Sequence, residues 1–195
     1  MSKDILSKLP SAFDIEQVEA KYPLLRENSM NTFLVQELTR FNNLIRVIQS
    51  SLKNILLALK GEALLSEQLE KVYNSLLIGE IPKMWLTVSY PSLKPVASYV
   101  KDLCLRLQTY QQWINNGEPN IFWISGFFFT QSFLTGVFQN YARKYKVEID
   151  TLLYQFEFLE EDPTNYDDEV YQNDNTKHKT PKDGALISGL YFEGA

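Results

Sequence analysis

The chain has 195 residues, 45% apolar and 22% charged, with a formal net charge of -5. That length and balance fit one or two globular domains with a real core, and the acidic charge argues against a phosphate-backbone binder, which needs a basic patch. Cys104 is the single cysteine, so no disulfide forms within the chain, and no uncharged apolar run reaches the roughly 18 residues of a membrane span.

The first residues, Met1-Ser-Lys-Asp-Ile5, lack the apolar core of a secretion signal, so a cytoplasmic setting is expected. Ser11 and Asp14 are each placed to cap a short helix over Ile15–Tyr22, which Pro23 stops. The next helix is the clearest. Leu34, Leu38, Phe41, Ile45, Ile48, Leu52, Ile55 and Leu59 follow a 4-3-4-3 spacing, which lays one apolar stripe along a long helix. Asn31 or Ser29 is its expected N-cap and Gly61 its stop. Such a heptad fits either a coiled coil with a second chain or the spine of a helical bundle. Phe33, Val35, Leu44, Val47, Leu56 and Leu57 widen the stripe beyond a two-stranded seam, which favours the bundle.

Glu62–Ile78 repeats the pattern with Leu65, Leu69, Val72 and Leu76, and Gly79 closes it. An extended piece, Lys83–Val88, is expected to follow Pro82 and anchor Trp85. Ser92 opens a third helix, with Pro95 in its first turn. Its stripe is Val96, Val100, Leu103, Leu107, Tyr110 and Ile114, and Gly117 ends it. Cys104 lies beside that stripe, with no basic cluster to activate it, and reads as an inert thiol.

Phe122–Phe129 is too short and too aromatic to assign by period, although Gly126 marks a bend or a close backbone approach. Thr130 is the expected N-cap of a fourth helix with Phe133, Leu134, Val137, Phe138 and Tyr141 inward, ended by Arg143, Lys144 and Lys146. The period then becomes two. Leu152, Tyr154, Phe156 and Phe158 share one face of a strand. Glu160–Lys182 reads as an exposed polar loop, Pro181–Gly184 as a turn, and Leu186, Ser188, Leu190 and Phe192 as one face of a second strand. The fold class is therefore α+β, mainly α: an amphipathic helical bundle followed by antiparallel strands.

Chemistry is sparse. No phosphate-cradling G-x-x-x-x-G-K-[ST] occurs. His178, the one histidine, lies among lysines in the polar loop and offers no triad. Cys104 and His178 alone cannot make a zinc site. Glu160–Asp162 and Asp167–Glu169 lack calcium-loop spacing. No catalytic, cofactor-binding or metal residue is singled out. The residues that stand out are anchors: Trp85, Trp113, Trp123, Phe127, Phe128 and Phe129, placed in the core or at a docking seam, with the core preferred.

Several words follow one another in a telling order: Asp4–Pro10 with Phe13–Glu16, Ser29–Thr32, Gln36–Asn42, Ile81-Pro82 with Trp85, Ser89-Tyr-Pro-Ser-Leu-Lys-Pro95, Phe122–Phe129, Phe133–Gly136, Ala142–Lys144, Ile149-Asp150, and Asp183-Gly184 with Gly189–Ala195. Together they resemble the C-terminal region of dynein heavy chains, and the Ser89–Pro95 and Gln139–Lys144 forms are most similar to axonemal inner-arm chains. The resemblance implies a division into 1–28, the end of the last AAA+ module; 29–147, a helical part; and 148–195, the first strands of a small antiparallel β-barrel. That barrel would be incomplete, since the family continues past Ala195. The implied partners are AAA+ ring modules of the same heavy chain, with microtubules and other dynein subunits reached only through the parent, and neither nucleic acid nor membrane. ATP and Mg would belong to the parent motor. The implied location is the cytoskeleton of a cilium or flagellum. The rival reading is a free-standing helical adaptor that oligomerises through Leu34–Leu59.

Overall fold

The computed structural model describes residues 2–25, 27–157 and 181–189. Among them, seven helices pack with one long member at the centre, and a two-stranded sheet closes one side. Helix α3, Ser29–Leu59, runs 31 residues, roughly 46 Å at the α-helical rise. Of its predicted stripe, Leu34, Leu38, Phe41, Ile45, Ile48, Leu52 and Ile55 have no solvent exposure, while Leu59 at the end is exposed. Phe33, Val35 and Leu44 are buried as well. Val47 and Leu56 are partly buried and Leu57 is 39% exposed, so most of the wide stripe, though not its far end, is used by this chain's own core.

Two short helices, α1 (Ser2–Lys8) and α2 (Ile15–Lys21), lie against α3, and with the residue after α1 they contribute Ile5, Leu9 and Val18 to the core. Asp14 caps α2 by accepting from the Gln17 amide. The linker between them is tied by buried Asn42, whose Oδ1 accepts from Phe13 N at 2.7 Å and whose Nδ2 donates to Phe13 O at 2.8 Å. The cap of α3 is Asn28, ahead of the expected Ser29 or Asn31, and its side chain accepts from Met30 N.

Helix α4 is Glu67–Leu77 and begins five residues later than the apolar pattern suggests, because Ser66 supplies the cap. Gly61 and Gly79 take positive φ and end α3 and α4 as expected. The extended piece expected at Lys83–Val88 is instead one helical turn, α5 (Lys83–Leu86). It seats Trp85 with no exposure, its Nε1 donating to Ser51 Oγ at 2.9 Å. Helix α6, Val96–Asn116, starts at Pro95 rather than at Ser92. The Ser92 hydroxyl accepts from Lys94 N and shapes the turn before the helix. At the far end of α6, Tyr22 Oη donates to Ile114 O at 3.2 Å and Lys21 Nζ donates to Asn115 O at 3.1 Å, so α2 and its cap supply partners for carbonyls that the helix leaves over, while Tyr22 Oη also donates at 2.8 Å to Trp113 O, which Gly117 N already caps.

Helix α7, Thr130–Tyr145, crosses the start of α3. Thr130 is its first helical residue rather than its cap. A Cβ added to Gly136 would stand 2.6 Å from Met30 Cε, so glycine permits the close approach. Ser29 N donates to Asn140 Oδ1 at 2.9 Å, and Arg143 donates to Ser29 Oγ at 2.7 Å.

No antiparallel barrel strand occurs among the described residues. Among the described residues the sheet is parallel: β1 (Ile121–Trp123) pairs with β2 (Leu186–Ser188), Ile121 opposite Leu186 and Trp123 opposite Ser188. Residues 152–157 form no strand. The Tyr154 ring stacks on Phe138 at 3.9 Å and its hydroxyl donates to Leu134 O, so Tyr154 packs on α7 instead of on a partner strand, while Phe156 on the same face stays exposed. β2 meets β1 partly because Gly189 follows it at positive φ. A Cβ there would stand 2.6 Å from Ser125 Oγ and 2.7 Å from the Trp123 ring. Phe158, Leu190, Phe192, His178 and most of the acidic loop lie outside the described residues.

Candidate functional site

The centre of the fold is a carboxylate that the apolar pattern conceals. Glu37 sits on the inward arc of α3 between Leu34 and Phe41, with no exposure. A buried carboxylate survives only if donors surround it. Here Tyr110 Oη donates at 2.8 Å, Phe128 N at 2.5 Å, Phe129 N at 3.0 Å and Arg40 Nη1 at 3.1 Å. Burial, followed by the Glu37 charge, pushes the Tyr110 hydroxyl well above its ordinary pKa. The two backbone amides come from the turn just ahead of α7, so Glu37 also places negative charge at the positive end of that helix. It does from α3 what Thr130 was expected to do locally.

A second carboxylate holds the Ser89–Pro95 turn. Asp102, on α6, accepts from Tyr90 Oη at 3.0 Å, Lys94 Nζ at 2.6 Å and Arg106 Nε at 2.7 Å. Burial alone would raise this carboxyl. The hydrogen bond from Lys94 and the charge of Arg106 outweigh it and hold Asp102 below the usual aspartate range. Arg106 also covers the Tyr90 ring at 3.9 Å and donates to Phe127 O at 3.3 Å. Ser89 Oγ and Tyr99 Oη lie 2.7 Å apart, and burial pushes the Tyr99 phenol up to about 12. The two sequence words Ser89–Pro95 and Phe122–Phe129 therefore meet through Arg106.

The six anchors divide by position. Trp113 is buried, stacked on Tyr110 and edge-on to Phe122 at 5.4 Å. Phe127 is buried against Phe33 at 4.8 Å, and half-buried Phe128 sets its edge against Phe41 at 5.4 Å. Trp123, half-buried on β1, fills the space a Cβ at Gly126 would need, 2.3 Å from its ring. Phe129 is 48% exposed, with the Arg40 guanidinium 5.4 Å from its ring. Trp85 is buried apart from these five, beside Ser51. Sequence reasoning missed Glu37, Asn42, Asp102 and Arg106. The available signal was position: each lies within one turn of an apolar residue of its own stripe.

Chemically, both carboxylates are saturated by internal donors, and neither faces an open polar pocket as a base would. The Cys104 thiol is half-buried and pushed up by burial, against the opposing charge of Lys8. Among the described residues no group of three His, Cys, Asp or Glu is placed to hold a metal, and no helix is long and apolar enough to cross a membrane. Arg143 and Lys144, at the end of α7, are engaged within the protein, by Ser29 and by Asp183.

The chain is 51% identical over 195 residues to dynein axonemal heavy chain 3 of Homo sapiens, 50% to dynein axonemal heavy chain 12 and 46% to dynein axonemal heavy chain 1 of the same species. Each alignment covers 100% of this chain but only 4%, 6% and 4% of the relative. Residues 1–195 match the family described as the C-terminal domain of the dynein heavy chain, so the words at Ser89–Pro95 and Phe122–Phe129 sit within a family-wide match and this polypeptide belongs to that family.

Proposed function

We propose that this chain is the C-terminal domain of an axonemal dynein heavy chain that packs on the AAA+ modules of the same polypeptide and regulates ATP-driven movement along microtubules. The observation that carries this reading is the family match over all 195 residues. ATP and magnesium are bound and used by the ring modules. The domain itself acts mechanically: Glu37 and Asp102 lock three helices and two turns into one stiff body, and a stiff body can transmit or resist a change of ring shape. Its place of work is the axoneme of a cilium or flagellum, as the names of the relatives suggest. The division at residues 28 and 147 belongs to the same reading.

The test compares a whole heavy chain with and without residues 1–195. ATPase rate, gliding velocity and stall force are measured, and at least one is expected to change. If all three were the same, the regulatory role would be lost.

A further inference from the structure

Helices α3 and α7 run antiparallel where they cross, since Ser132 Oγ donates to Gln36 Oε1 at 3.4 Å while Ser29 Oγ donates to Gln139 Oε1 at 2.8 Å. Between them lies a half-open furrow of about 460 Å³, lined by Ser29, Thr32 and Gln36 of α3 and by Ser132, Gln139 and Arg143 of α7. The bonds across it leave it rich in donors. Each glutamine has its oxygen occupied, Gln36 by Ser132 and Gln139 by Ser29 and Arg143, while neither Nε2 has a partner among the described residues. The Thr32 hydroxyl has none there either. Arg143 donates to two neutral oxygens, Nη1 to Ser29 Oγ at 2.7 Å and Nη2 to Gln139 Oε1 at 3.4 Å, and no carboxylate among the described residues pairs with it. A guanidinium carries five donor hydrogens in a planar fork, so two bonds fix its plane and leave hydrogens for an acid.

The shape of the furrow narrows what fits it. Along α7 the lining runs from Phe129 to Arg143, about 21 Å at the α-helical rise. A volume of about 460 Å³ over that length gives a cross-section on the order of 20 Å². That admits one extended chain, whose neighbours in a sheet stand about 4.8 Å away, and excludes a helix about 10 Å across. Donors along one helix face recur every ~5–6 Å, close to the ~6.6 Å between carbonyls on one side of a strand. A small anion would engage Arg143 and leave the glutamine amides unmet. A nucleic acid would find a single cation lining the furrow, in a chain of net charge -5. We propose that this furrow binds an extended acidic peptide of another polypeptide, with an Asp or Glu carboxylate on Arg143 and backbone carbonyls on Thr32, Gln36 and Gln139. Phe129, exposed at the opposite end, offers its ring to an apolar side chain of the same peptide. The proposal does not rest on the packing reading above.

The experiment pans a displayed library of random octapeptides on the full-length heavy chain. Enriched peptides are expected to share an Asp or Glu at one fixed position. A fluorescein-labelled copy of the leading peptide, followed by anisotropy, should bind about 10-fold more weakly or worse when that acid is replaced by its amide. Arg143→Gln in the heavy chain should weaken it by a similar factor, and Arg143→Lys, which keeps the charge but loses the fork, by less. Gln36→Glu is made at an exposed position and leaves the core intact, so it tests the furrow without unfolding the domain, and binding should again fall. The proposal is overturned by a library that yields no enriched peptide, by enrichment without an acid, or by an affinity that Arg143→Gln or Gln36→Glu leaves unchanged. Full displacement of the peptide by glutarate at the peptide's own concentration also overturns it, by showing a site for a small anion only.

Discussion

Around Glu37 four donors converge on a carboxylate sealed from solvent, whereas around Asp183 the donors Lys144 and Tyr145 meet a carboxylate in open water. Lys144 and Asp183 shift each other's pKa as a bonded pair should, Lys144 upward and Asp183 downward, each chiefly through their mutual hydrogen bond. Yet water screens such a contact and it constrains little. The region around Glu37 carries its own specification, because any rearrangement there strands a buried charge. Residues 147–157 are laid on α7 by a stacked tyrosine and leave Val147, Leu153 and Phe156 exposed, and residues 186–188 are held to β1 by a three-residue strand pair. One region is a finished piece of architecture. The other takes its shape from what it leans on.

The comparison breaks first at Glu37. Glu37→Ala leaves the Tyr110 hydroxyl and two backbone amides buried without an acceptor. It should cost about 3–5 kcal/mol, read as a lower urea midpoint at unchanged slope. A loss below about 1 kcal/mol would mean that the clamp is not what holds the junction. Asp102 tests the same region through pH. Its folded pKa lies below the unfolded value of about 3.9, so its stabilisation is complete above that value and fades as pH falls through the lower, folded one. The urea midpoint should therefore drop in acid, and Asp102→Asn should start about 1–3 kcal/mol weaker and lose that part of the acid dependence. The smallest effect belongs to the other region. Tyr154→Phe keeps the ring on Phe138 and removes one partly exposed hydrogen bond, so about 0.5–1.5 kcal/mol or less is expected. A Tyr154 effect as large as that of Glu37 would erase the distinction between the two regions.

The helical part of this fold was legible because its signals are local. The 4-3-4-3 spacing of α3 and the glycines at 61, 79 and 117 depend only on neighbours within a turn or two. What was not legible depends on partners far along the sequence. The turn at Lys83–Leu86 is too short to show a period, and Trp85 is held there by Ser51, a residue of α3. The parallel pairing of residues 121–123 with 186–188 spans more than 60 positions, and an alternating pattern gives no sign of which strand it will meet. The aromatic alternation at Leu152–Phe156 promised a strand, but only its Tyr154 finds a partner, on α7. Glu37 was invisible for a related reason: a charged residue on a helix is ordinarily read as facing water, and only the distant Tyr110 and the 128–129 amides make it a core residue.

The bonds from Lys21 and Tyr22 to the last carbonyls of α6, with the grip of Asn42 on Phe13, bear on how this domain is to be trimmed for the bench. A recombinant piece begun at Ser29 would discard those partners, fray the end of α6 and bare the inner wall that Ile5, Leu9 and Val18 cover. The first 28 residues are the bung in the cask's side, and expression work that saws them off should find the contents leaking.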